Sequence, residues 1–129
     1  MTPLIFLDIA VAPRASESSA FVAYLIGVFV IIVVIETIIL RLLGWGDFRR
    51  SFVDALIMNL VTTLLGALGL FIVPDLVFLL PAALVLSILI EGLILMRRHK
   101  EHSLRKIWLT SIVANVVSYI LVFFLPLFF

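Results

Sequence analysis

Apolar residues fill the chain in four long runs, broken by short polar stretches. The runs cover about Ala20 to Leu40, Phe52 to Val73, Leu76 to Met96, and Ile107 to the C-terminus. Each is close to the ~20 residues that a helix needs to cross a hydrocarbon core. None alternates with the period of two expected of a half-buried strand, so the pattern predicts helices. A helix also satisfies its own backbone, as a lipid-exposed segment must. Only "VPDL" around Pro74 and Asp75 separates the second and third runs, which predicts a tight helical hairpin. Pro81 falls early in the third helix, where a missing amide donor is tolerated. The expected fold is an all-α integral membrane bundle of four transmembrane helices.

Composition agrees with that pattern. The 129 residues are 65% hydrophobic and 13% charged, with a mean hydropathy of +1.39. A soluble domain of this size could not cover so much apolar surface with polar groups. Cysteine is absent, which excludes disulfides and thiolate chemistry.

The net charge of +1 matters less than where the charges fall. Arg41, Arg49 and Arg50 lie between the first and second runs; Arg97, Arg98, Lys100, Arg105 and Lys106 lie between the third and fourth. These are eight of the nine basic residues. By the positive-inside rule both loops are expected in the cytoplasm and both termini outside. The expected location is the inner membrane of a prokaryotic cell. Clustered Lys and Arg at this level also suit anionic lipid headgroups.

Residues 1–19 are expected to form an extracytoplasmic or interfacial segment. "MTPLIFLDIAVAP" is apolar but interrupted by Asp8, too short to span, and without the basic start of a leader. "RASESS" then offers a Ser or Glu to cap the first helix. The chain ends in "LVFFLPLFF", an apolar tail expected to stay at the interface or against another chain.

Two carboxylates interrupt the apolar text in matching surroundings. "IETIIL" holds Glu36 and "IEGLIL" holds Glu91, 55 residues later. Each stands five or six residues before the basic cluster that ends its run. The following helices carry "NLVT" from Asn59 and "NVVS" from Asn115, 56 residues apart. Matching Glu and Asn is informative because both are rare in spanning helices. The pattern predicts two similar helical hairpins, residues 20–73 and 74–129, arranged as a parallel tandem repeat.

At 1.5 Å per residue the glutamates sit roughly 8 Å inside the cytoplasmic helix ends, and the asparagines roughly 12 Å. A carboxylate in hydrocarbon must be neutral, hydrated or partnered. The asparagines supply donors at the right level. Glu36–Asn59 and Glu91–Asn115 are therefore expected as interhelical pairs that fix register. The competing readings are that the two glutamates take up protons or cations, or that they form a site facing a partner subunit.

Other residues carry less. Asp47 and Asp54 flank the start of the second helix, Trp45 and Trp108 suit an interfacial belt, and Gly66, Ala67 and Gly69 suit close helix packing. His99 and His102 in "RRHKEHSLRK" lack a third clear ligand, so no metal or other cofactor is expected. No nucleophile elbow, phosphate loop or metalloprotease helix is present. A nucleic-acid role does not suit a small basic surface held against a bilayer.

Small multidrug transporters also have four helices and a glutamate in the first, but the resemblance stops short of the second glutamate. The function expected is non-enzymatic: a small accessory or structural subunit of a larger membrane complex. The alternative is a homo-oligomeric proton- or cation-coupled transporter or channel using Glu36 and Glu91. The expected partners are membrane lipids and either other membrane subunits or further copies of the chain.

Overall fold

The computed structural model describes residues 15–72 and 76–124, with side chains over 18–69 and 81–124. It is all-helical: α1 (Ala15–Leu42), α2 (Phe48–Ile72), α3 (Leu76–Arg98) and α4 (Leu104–Phe124). The stretch before Ala15, the Pro74 turn and the last five residues lie outside the described part. Three helices, α1, α2 and α4, are long and apolar enough to cross a membrane. The described side chains of α3 run from Pro81 and include three charges, Glu91, Arg97 and Arg98.

The helices outrun the apolar text because helix ends are set by caps, whereas hydropathy marks only the greasy stretch. Asp47 caps α2, its Oδ1 accepting the Arg50 amide at 2.8 Å. Ser103 caps α4 more loosely, with Oγ 3.3 Å from the Lys106 amide. The C-terminus of α1 closes in a Schellman motif: the Trp45 amide returns to the Leu40 carbonyl at 3.0 Å and the Gly44 amide to Arg41 at 3.1 Å. Gly44 takes the left-handed conformation (φ 67°) that this closure demands.

Each helix packs on two others. α1 touches α2 and α4, and α3 touches α4 and α2, so α1 and α3 stand on one diagonal of a square. The interior is unusual. Among the described residues eleven buried side chains are polar or charged and eight are apolar. The lateral surface is the reverse, with Phe21, Leu25, Ile26, Leu64, Leu68, Leu86 and Phe123 among many exposed large hydrophobic residues. This is the inverse of a water-soluble bundle.

Burial follows matching positions in the two halves. Ser51, Asp54, Ala55, Met58 and Asn59 are buried on α2; Ile107, Thr110, Ser111, Ala114 and Asn115, each 56 positions on, are buried on α4. Glu36 and Leu40 on α1 correspond in the same way to Glu91 and Leu95 on α3, 55 positions on.

Candidate functional site: a polar core and a polar cap

Glu36 and Glu91 are each 1% exposed. The Asn59 amide donates to Glu36 Oε2 at 2.5 Å, and the Asn115 amide donates to Glu91 Oε2 at 2.6 Å. The expected pairs therefore form. Each asparagine uses its second N–H on its own helix, on the Ala55 carbonyl at 2.9 Å and the Ser111 carbonyl at 3.0 Å. Both amides are thus fully used as donors.

A second set of bonds crosses between the hairpins. Ser118 Oγ lies 3.1 Å from Glu36 Oε1, and Thr62 Oγ1 lies 3.5 Å from Glu91 Oε1. The last residue of each Asn-x-x-[Ser/Thr] stretch so addresses the glutamate of the other hairpin. Because α1 and α3 occupy a diagonal, both carboxyls point between α2 and α4. Four helices are tied through two acids, and no cation bonds to either among the described residues.

The hydroxyls are doubly engaged. Ser118 Oγ is also 3.1 Å from the Asn115 carbonyl, and Thr62 Oγ1 is 3.0 Å from the Met58 carbonyl. A hydroxyl has one proton to give. It can donate to the carboxylate, or donate to its own helix and accept from a carboxylic acid.

A second polar cluster caps the loop end of the bundle. Asp54 is fully buried and accepts three donors: Trp45 Nε1 at 2.9 Å, Arg98 Nε at 2.7 Å and His99 Nε2 at 2.6 Å. Arg50 reaches His99 Nδ1 and the Glu101 carboxylate. An ionised carboxylate only accepts, so the His99 proton on Nε2 faces Asp54. The Trp45 ring and two imidazoles form a triangle of ring contacts, the Trp45 centroid 5.1 Å from that of His99 and 4.5 Å from that of His102. Lys106 Nζ donates to the Gly44 carbonyl at 2.8 Å. The two loops are thereby fastened to each other. The exposed Glu101 carboxyl is held down at about 2, first by its own backbone N–H and then by Arg50.

Several sequence expectations change here. Trp45 is not an interfacial belt residue; at 1% exposure it is a core residue, because its indole N–H finds Asp54 inside. Asp54 is not a flank of α2 but an acceptor two turns in. His99, in a stretch of mostly charged residues, is buried. Among the described residues no atom lies within 4 Å of a Cβ added at Gly66 or Gly69, so no described side chain packs closely on them. Close approach occurs instead at Gly92, where an edge of the Trp108 six-membered ring lies against the helix and an added Cβ would fall 2.7 Å from Cε3.

The basic residues divide. Arg41, Arg49, Arg97, Lys100 and Arg105 are exposed. Arg50 and Lys106 are half-buried, and Arg98 is bonded inward although its side chain remains 40% exposed. Among the described residues no group of three or more His, Cys, Asp and Glu side chains is placed to hold a metal. The cap escaped sequence reading because it joins two loops about 50 residues apart. One signal was available: Asp54 falls four residues before Met58 and three after Ser51, on the stripe that carries Asn59. No family model, curated protein or solved structure matches this chain.

Proposed function

We propose that this chain is a small, non-enzymatic subunit of a larger membrane complex, a four-helix scaffold that spans the bilayer and presents apolar faces to a partner. The observation that carries this reading is how the two glutamates are used. Each accepts from an asparagine and a hydroxyl of neighbouring helices, so the rare polar groups serve the bundle itself. Such bonds contribute about 0.6–2 kcal/mol each but fix register and pairing. The polar interior and apolar exterior support insertion in hydrocarbon, with α3 as the fourth crossing. The matched burial positions support a two-hairpin parallel repeat, its pseudo-twofold axis along the membrane normal. The basic loops then face the cytoplasm of a prokaryotic cell and both termini face outward.

The test is extraction of the tagged protein from its native membrane in mild detergent, followed by native mass spectrometry. A stoichiometric larger partner is the expected result. A pure homo-oligomer would overturn the subunit reading.

One observation favours a second reading, proton-coupled transport by a homo-oligomer. Ser118 and Thr62 each stand between a glutamate and a backbone carbonyl with one proton to give. Either protonation state of the acid therefore finds a partner without helix movement. Proton flux into vesicles that is abolished by Glu36→Gln and Glu91→Gln would establish it.

A further inference from the structure

A groove of about 240 Å³ opens on the outer surface between α1 and α2, lined by Val34, Thr37, Ile38, Phe48 and Phe52. Its wall is apolar throughout, because the Thr37 hydroxyl is turned onto the Val33 carbonyl at 2.6 Å. Phe48 and Phe52 stack with centroids 6.4 Å apart and form one side. The groove ends where α1 gives way to the first loop, and there the charges are cationic. Arg41 lies three residues beyond Ile38, and its Nη1 donates to the Gly46 carbonyl at 2.5 Å, which holds the guanidinium between the end of α1 and the start of α2. Arg49 is exposed beside Phe48 and one turn before Phe52. Lys106 is fixed nearby on the Gly44 carbonyl. Asp47 is the acid at this mouth, and one of its oxygens is taken by the Arg50 amide.

We infer that this groove binds one acyl chain of an anionic phospholipid, whose phosphate is held by Arg41 and Arg49. Charge complementarity selects the occupant. A zwitterionic phospholipid offers the same phosphate but brings its own cation to a mouth that already holds Arg41, Arg49 and Lys106, and a partner helix would have to desolvate the two exposed guanidinium groups. An arginine fork matches phosphate geometry, and Arg41 keeps further N–H donors free after its bond to Gly46. The inference rests on the chain being membrane-spanning, and it is independent of which complex the chain serves.

The experiment is native mass spectrometry of the purified full chain in detergent, titrated with phosphatidylglycerol or phosphatidylcholine. One phosphatidylglycerol is expected to bind at least several-fold more tightly than phosphatidylcholine. Arg41→Gln with Arg49→Gln should abolish that preference, whereas Arg97→Gln with Arg105→Gln, which removes the same charge from the other loop, should keep it. Val34→Phe, which fills the groove and leaves both arginines, should weaken binding of the chain-bearing lipid. Glycerol phosphate should not compete, since it lacks the chain. An unchanged preference in the Arg41/Arg49 variant overturns the inference, as does an equal loss in the Arg97/Arg105 variant. A partner protein found over the groove in the native complex, with no lipid retained, would also overturn it.

Discussion

Removing the Asp54 carboxylate should unfasten the two loops, and the cost can be worked from its three donors. In Asp54→Ala the Trp45 N–H and the His99 N–H lose their acceptor in a buried place, with Trp45 1% and His99 5% exposed. An orphaned buried donor costs about 1–3 kcal/mol, so the two together cost about 2–6 kcal/mol. Arg98 adds little, since its side chain is 40% exposed and turns to water. Asp54→Asn keeps the volume and one acceptor oxygen, and should fall between alanine and the natural residue. The assay is denaturation in mixed micelles, followed by Trp45 fluorescence in a Trp108→Phe background that leaves one indole. Asp54→Ala should lower the midpoint and expose Trp45 to a water-soluble quencher. In a double-mutant cycle with His99→Ala the two losses should fall short of additive by more than about 1 kcal/mol, because both remove the same bond. A loss under about 0.5 kcal/mol with Trp45 still shielded would refute the reasoning.

Three further outcomes follow from other contacts. Gly92→Ala places a methyl group 2.7 Å from Trp108 Cε3 and should cost about 1–3 kcal/mol by overpacking; Gly92→Ala with Trp108→Ala should recover part of it, measured by the same denaturation. Glu101 titrates low when the loops are docked, so its contribution is present above the ordinary 4.5 and is lost as the pH falls toward about 2. Glu101→Gln should flatten that acid limb of Trp45 shielding and change little near neutrality. Because the chain has no cysteine, Lys100→Cys and Arg49→Cys should react with an impermeant maleimide only from the cytoplasmic side, and labelling of both from outside would invert the topology.

Much of this architecture was legible in the sequence, for identifiable reasons. Helices α1 to α4 were visible because their apolar runs are long. The start of α3 at Leu76 was legible, but α1, α2 and α4 begin three to five residues before their apolar runs; for α2 and α4 this is because Asp47 and Ser103 cap at polar positions that hydropathy does not mark. The Glu36–Asn59 and Glu91–Asn115 pairs were visible because rare polar residues on adjacent antiparallel helices fall at similar depth. The crossed bonds from Ser118 and Thr62 were not, since they depend on α1 and α3 occupying a diagonal. The Trp45–Asp54–His99 cap was hidden for a related reason: nothing local says that two loops will dock. The Gly66 and Gly69 face is legible only as small residues, and no described atom lies within 4 Å of a Cβ added at either.

The central claim is that the buried glutamates hold the bundle together for a partner and carry no ions. The most direct measurement is the stoichiometry of the native complex recovered with the Glu36→Gln/Glu91→Gln double variant. Glutamine keeps an acceptor oxygen for Asn59 and Asn115, so the variant should come out of the membrane with its partner at the wild-type ratio. A wild-type chain that emerges only as copies of itself, with proton uptake that the double variant lacks, would contradict the claim.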